Sequence, residues 1–399
     1  MTQFLCALIA CVTVVFSQEV LTLEDAVKLA STNSTMVQIY NAQLRQAKAV
    51  GVSTGEIPNP TISYSSETLE NNLLISEETV FSIEMPIAFL WKRWSAVESE
   101  ELKVQAKEEL YNHIKHELAL NVKSIFNDID YFKHRLEAFR KSEDVLNQIF
   151  QITKKRFEQG DISGYELERI QVELNAFQNE KADLESELLK KVQRLHFFTN
   201  TQGKQFTYVF SDHGNIQLKP LDDYIKQSLT SRSDIKAANL ILQSREQHIS
   251  TQKWNRVPEA SVIFGHKTQN NDLSGTFIQF NTSVPLFNFN SGEIERSEAL
   301  YDEQRYTLNQ LKQTVRSEVT IAYENFVRYQ TLYQSRQNSD FDLLKTIRLR
   351  YEKGDSSLIE FLDGLRSYLK SQEIFNDLKH RYHLSLFQFQ NTIQFNING

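Results

Sequence analysis

The chain has little of what most folds use to turn or to staple themselves. Of its 399 residues only 12 are Gly and 6 are Pro. Such scarcity favours long uninterrupted helices over an α/β or all-β enzyme. The two cysteines, Cys6 and Cys11, both fall in the first apolar segment, so no disulfide can tie together the chain that follows. Positive charge is not in excess: 44 basic against 51 acidic residues give a net charge of −7. A nucleic-acid binder would carry a basic patch or stripe, so no nucleic-acid partner is expected. No apolar run reaches the length of about 18 residues that a membrane-spanning helix needs. Catalytic signatures are missing too, with no GxSxG, Walker or GxGxxG pattern in the sequence. The histidine pairs "HIKH" (His113, His116) and "HRYH" (His380, His383) have i, i+3 spacing. Neither comes with HExxH or a cysteine cluster, so solvated or interhelical histidines are expected, not a metal site. The reading is therefore of a non-enzyme that needs no cofactor.

What is present begins with the apolar run Phe4 to Phe16. It has the length of a secretory h-region, and cleavage is expected after Ser17, which makes residues 1–17 a signal peptide. Its n-region has no Lys or Arg. "LIAC", ending at Cys11, resembles a lipobox, but the apolar run continues past it to Phe16. Export without a helical anchor leaves periplasm, secretion or an outer-membrane barrel.

The rest of the chain is written twice. "LTLEDAVKLASTNSTMV" from Leu21 pairs with "LKPLDDYIKQSLTSRSDI" from Leu218, setting Asp25 on Asp223 at an offset of 198. Pro60 falls on Pro258 at 198, Pro86 on Pro285 at 199, and "RFEQGD" from Arg156 on "RYEKGD" from Arg350 at 194. A near-constant offset at four separate places marks an internal repeat. The copies are taken as residues 18–205 and 206–399, and each reads helix, strand, strand, very long helix, break, helix. Thr22 and Asp25 make a capping-box-like start to the first helix. That helix is expected to end before "GEIPNP", where two prolines forbid it.

The long segment of the first copy, Lys92 to Glu158, carries apolar residues at Tyr111, Ile114, Leu118, Val122, Ile125, Ile129, Phe132, Leu136 and Phe139. Their mean step is about 3.5, the period of a coiled-coil seam. Adding 197 gives Leu308, Leu311, Val315, Val319, Ala322, Phe326, Tyr329, Tyr333 and Arg336, so the seam is duplicated with one exception. The segment amounts to about 100 Å of helix. Periodicity alone is equally compatible with a long soluble coiled coil.

Between the helices lie short alternating segments, expected as strands near residues 60–69, 79–87, 259–268 and 276–285. Ile62 and Tyr64 alternate with Thr61, Ser63 and Ser65; Phe81, Ile83 and Met85 with Ser82 and Glu84; Ile278 and Phe280 with Gln279 and Asn281. Alternation in "ASVIFGHKT" is weaker. Each segment has about the length of a tilted transmembrane β-strand, and bacterial barrels need at least eight such strands. Four cannot close. Either these are ordinary hairpins on a helical body, or several protomers donate four strands each.

"LTLEDAVKLA", "VPLFNFNSG" and the paired "RFEQGDISGYEL" and "RYEKGDSSLIEFLDGL", in this order and duplicated, resemble the TolC family of outer-membrane factors over about residues 20 to 395. Chain length and the "MPIAFLWKR" form point to the CzcC-like cation-efflux branch or a generic relative. The resemblance implies a homotrimer, with a twelve-stranded barrel in outer-membrane lipid continuous with a periplasmic α-helical barrel. It implies a passive exit duct for tripartite efflux or type I secretion, driven indirectly by an inner-membrane pump. It places Arg156, Gly160, Asp161 and Ser163 at one periplasmic tip, and Arg350, Gly354, Asp355 and Ser357 at another, where a periplasmic membrane-fusion (adaptor) protein docks. It also places Glu360 and Asp363 in a ring around the narrow aperture, with Tyr351 matching a gating tyrosine. Ser356 stands where an arginine is expected. Two other classes fit less well. A periplasmic adaptor should carry Gly-rich lipoyl-like β halves, which the sequence lacks, and a soluble coiled-coil scaffold would have no membrane phase.

Overall fold

The computed structural model describes residues 19–70, 75–210, 216–270, 272–336 and 343–394. The N-terminal apolar segment, the cleavage expected after Ser17 and Cys11 lie outside them. Among the described residues no helix is long and apolar enough to cross a membrane, which leaves the question of a β-barrel open.

The chain runs β1 (Glu19–Thr22), α1 (Leu23–Asn33), α2 (Thr35–Thr54), β2 (Thr61–Glu70), β3 (Ile75–Pro86), α3 (Phe89–Glu158), α4 (Gly164–Thr199) and β4 (Phe206–Val209). It continues with α5 (Leu221–Ser231), α6 (Ser233–Trp254), β5 (Ala260–Gln269), β6 (Ser274–Thr282), α7 (Ser291–Arg336), α8 (Leu343–Glu352) and α9 (Leu358–Ile393). The order helix, helix, strand, strand, long helix, helix occurs once as α1 to α4 and again as α5 to α9, where the short α8 stands between α7 and α9. Helix α3 has 70 residues, about 105 Å at the helical rise.

One sequence expectation needs correction. The first helix is not continuous up to "GEIPNP"; it breaks at Ser34, whose φ/ψ of −61/134 is extended and whose N–H bonds the Ala30 carbonyl. The break recurs at Arg232, with φ/ψ of −60/133 and its N–H on the Ser228 carbonyl. Neither site has a Gly or Pro, so no residue type announced the break. At the second break the side chain supplies the reason. Arg232 is buried, with guanidinium bonds to Asp234 at 2.6 Å, Glu318 at 2.9 Å and the Thr392 carbonyl at 3.0 Å. A buried cation is tolerable only when paired and hydrogen-bonded in this way.

The chain forms two compact units, each assembled from both sequence copies. Unit 1 comprises residues up to Ser34, Leu118–Ile216 and Phe326–Phe387; unit 2 comprises Thr35–Glu117, Gln217–Asn325 and Gln388 onward. Unit 1 holds a short parallel pairing of β1 with β4, four residues each and invisible to a search for alternation. It also holds a helical core in which Leu136, Phe139, Leu146 and Ile149 of α3 meet Ile170 and Leu174 of α4, Tyr351 of α8, and Phe361 and Leu365 of α9. Helices α8 and α9 approach closely at Gly364, where an added Cβ would stand 2.7 Å from Cγ2 of Ile347. Gly364→Ala should therefore overpack this core and cost about 1–3 kcal/mol. Thermal melting of the purified protein checks it, and an unchanged melting point would mean that Ile347 yields freely.

Unit 2 holds the other sheet, in the order β2–β3–β5–β6, antiparallel throughout. It also holds a close α3–α6 crossing. There the hydroxyls of Ser99 and Ser244, both buried, donate to each other's backbone carbonyls at 3.0 and 2.9 Å.

Candidate functional site

The two Gly-Asp breaks close helices α3 and α8 by the same backbone device. At the first, the Gly160 N–H donates to the Phe157 carbonyl at 3.0 Å and the Asp161 N–H to the Arg156 carbonyl at 2.9 Å. At the second, Gly354 donates to Tyr351 at 3.1 Å and Asp355 to Arg350 at 2.9 Å. This pair of bonds satisfies carbonyls that a helix end would leave orphaned, and it requires a left-handed residue just past the helix. Gly160 has φ 82° and Gly354 φ 78°, a region glycine enters at little cost. The duplicated "GD" is thus a duplicated Schellman turn.

The side chains around the turns diverge. Tyr351 is only 2% exposed, whereas Phe157, its counterpart in the first copy, is 43% exposed and lies against Gly164. The Arg156 guanidinium sits 5.2 Å from the centroid of the Tyr351 ring, a cation–π contact that joins the end of α3 to the end of α8. Beneath it the Thr153 hydroxyl donates to the Ile149 carbonyl at 2.8 Å. With its one hydrogen so used, Thr153 accepts from the Tyr351 hydroxyl at 3.1 Å. The Arg350 guanidinium instead reaches its own turn, 3.4 Å from the Asp355 carbonyl. Thr153 falls in the coiled-coil seam where an apolar residue is due, and that is the signal by which sequence alone could have flagged it.

The starts of α4 and α9 differ as well. Both are S-x-x-E sequences, the mark of a capping box. Ser163 makes no side-chain cap bond. Ser357 makes the full box: its N–H donates to Glu360 Oε2 at 2.8 Å, and the Glu360 N–H donates to its hydroxyl at 3.3 Å. The Ser357 backbone donor, followed by its hydroxyl, holds the Glu360 carboxyl below the ordinary carboxylate range. A depressed carboxyl contributes to the helix start above its unfolded pKa, and that contribution is lost as pH falls through the lowered value. Asp363, one turn on, is exposed. Glu360 and Asp363 share a face of α9, while Tyr351 lies in the core with its ring 5.5 Å from that of Phe361. Ser356, between turn and cap, has a buried hydroxyl with no hydrogen-bond partner.

Three exposed apolar side chains stand close to these turns in sequence, Phe157 at 43%, Tyr165 at 68% and Ile359 at 58%. Away from the turns, Arg366 of α9 clamps Glu173 of α4 through two bonds, 3.0 and 2.7 Å. Nothing in the spacing of the sequence announces that pair. His380 is engaged by Asp128 at 2.7 Å and His113 by Gln394 at 3.1 Å.

The sheet of unit 2 is the second candidate site. Its register places Ile62, Ile83, Phe264 and Ile278 in one row across all four strands. Tyr64, Phe81, His266 and Thr276 form a neighbouring row, and Met85, Val262 and Phe280 another. The opposite face carries Thr61, Ser63, Glu67, Glu78, Ser82, Glu84, Lys267 and Gln279. Weak alternation in β5 has a local cause: Ile263 stands in the row of Thr61, Glu84 and Gln279, and Gly265 in the row of Ser63 and Ser82. Ile62, Tyr64, Phe264, Ile278 and Phe280 are all exposed, so the apolar face is uncovered. Strands β2 and β6 form the edges, and each is paired on one side only.

A family model described as outer membrane efflux protein matches residues 26–201 and 224–391, most of the chain. Among solved structures, the fold is similar to that of CusC, with a TM-score of 0.77 at 18% identity over 93% of this chain and 91% of that one. It is similar also to the Campylobacter jejuni CmeC outer membrane channel, with a TM-score of 0.75, 17% identity, and 93% and 85% coverage. The open state of the Neisseria gonorrhoeae MtrE outer membrane channel gives 0.73, 12%, and 93% and 88%. At these identities the likeness is one of fold. No curated protein sequence matches the chain.

Proposed function

Because this chain belongs to the outer membrane efflux protein family, we propose that it is the outer-membrane exit duct of a tripartite efflux or type I secretion system. It works as a homotrimer. The observation that carries this reading is the four-stranded sheet, with an uncovered apolar face, a polar opposite face and two edges free to pair. Open edges and an exposed apolar face are liabilities in water. Three copies joined β6 to β2 remove both, giving twelve strands with lipid outside and a polar lumen. The sequence copies 18–205 and 206–399 then supply two quasi-equivalent helix sets per protomer to the wall of a periplasmic α-barrel. Transport through it is passive, and an inner-membrane pump supplies the energy. Fractionation tests the assembly: detergent-resistant trimer in the outer membrane is expected, and soluble periplasmic monomer would reject it.

The adaptor docks on the two turns, Arg156, Gly160, Asp161 and Ser163 with Arg350, Gly354, Asp355 and Ser357. The exposed Phe157, Tyr165 and Ile359 add apolar contact area. Glu360 and Asp363, exposed on one face of α9, form the aperture ring, six carboxylates per trimer, and Tyr351 supports them from the core. Crowded carboxylates attract cations, which accords with the CzcC-like cation-efflux branch. In planar bilayers, Glu360→Ala combined with Asp363→Ala should weaken cation selectivity and divalent block. Glu360→Ala also removes half of the capping box, so Asp363→Ala alone is the cleaner variant. Wild-type selectivity in both would remove the ring from the reading.

A further inference from the structure

Besides Leu69, Val80 and Ile263, the polar face of the sheet carries one aromatic ring. Phe277 of β6 stands in the row Ser63–Ser82–Gly265–Phe277, one large ring beside three small residues. The ring does not stand away from the sheet. A Cβ built on Gly265 would lie 2.3 Å from both Cε1 and Cζ of Phe277 and 3.1 Å from Cδ1. The ring is therefore folded flat over the Gly265 backbone, filling the space of a missing side chain. Its burial agrees. Phe277 is partly buried, whereas Ile278 and Phe280 on the opposite face of the same strand are 73% and 61% exposed. Gly265 has no positive φ, so turn geometry does not call for glycine here. An aromatic covering a strand glycine is a known means of restoring packing to a thin place in a sheet. Here it has a consequence for the duct.

We propose that Gly265 sets the width of the exit at its level, by giving the Phe277 ring a place against the wall and so keeping three rings per trimer out of the lumen. This inference rests on the barrel reading above. Any side chain at position 265 evicts the ring, because an approach of 2.3 Å is far inside contact distance. The neighbours on the wall are Lys267 and Ile263 along β5, and Gly275 and Gln279 along β6. Ring and new side chain cannot both lie flat, so one of them projects inward.

The test uses the near absence of cysteine, since Cys6 and Cys11 are the only ones. Thr61 lies on the lumenal face, two residues along β2 from Ser63 and farther from the β2–β3 and β5–β6 connections. In Thr61→Cys trimers on intact cells, a maleimide added outside must pass the Phe277 level to reach the introduced thiol. Adding Gly265→Leu should slow labelling by a bulky maleimide and leave a small one unaffected. Adding Phe277→Ala to that pair should restore the bulky rate. Should leucine prevent assembly, Gly265→Ala serves, since one methyl already meets the ring. Bulky labelling unchanged by Gly265→Leu or Gly265→Ala, or unrestored by Phe277→Ala, overturns the proposal. Failure of even the small reagent to reach Thr61→Cys would instead overturn the barrel reading beneath it.

Discussion

Gly160→Val and Gly354→Val should each abolish efflux-dependent resistance while leaving trimer in the outer membrane. Both glycines hold φ near 80°, where an L residue pays about 1–2 kcal/mol and a β-branched one more. Space is not the obstacle, for nothing lies within 4 Å of a Cβ at either position. The substituted turn relieves its strain by leaving the left-handed region. It then gives up the bonds from Gly160 to Phe157 and from Asp161 to Arg156, or their counterparts in the second copy. Both turns are exposed, so the broken bonds are replaced by water and the net loss is small, about 1 kcal/mol each. The core behind them is untouched. What changes is the direction in which the chain leaves α3 or α8, and with it the surface offered to an adaptor. Gly292→Val is the control, being open to the same substitution without a positive φ. Resistance comparable to wild type in both turn variants would remove the docking role.

Much of this architecture could be read from residue order. The 3.5-residue seam from Tyr111 to Phe139 marked the long segment as helix, and its expected start at Lys92 lies three residues from that of α3. The strands emerged from strict alternation at Ile62, Tyr64, Phe81 and Ile83. Three features escaped. The break at Arg232 depends on tertiary bonds from partners 86 and 160 residues away, and the one at Ser34 shows in its backbone angles, not its residue type. The β1–β4 pairing is too short for any pattern to show. At the turns, "RFEQGD" and "RYEKGD" marked the two helix breaks as a pair, since a Schellman turn is local. They gave no hint that Tyr351 is buried under Arg156 while Phe157 faces water. That asymmetry arises because Tyr351 has Thr153 and Phe361 to pack against, a matter of which helices meet.

The sheet yields the second large effect. Ile278→Arg should prevent accumulation of trimer in the outer membrane, whereas Gln279→Arg, one residue along β6, should leave it intact. The two positions differ only in face. Ile278 lies in the apolar row with Phe264, Ile83 and Ile62, and Gln279 in the polar row with Ile263, Glu84 and Thr61. On a lipid-facing wall an arginine near the bilayer midplane costs about 2–4 kcal/mol, and a trimer pays it three times. On the lumenal wall the same arginine meets water, and Glu84 stands in its row. A soluble hairpin on a helical body would behave differently, because Ile278 is already 73% exposed there and arginine would cost almost nothing. The pair of variants thus separates a membrane wall from a solvated sheet by one residue of register. Equal trimer yields from both would mean that the apolar face meets no lipid, and the barrel would have to be abandoned whatever the fold resembles.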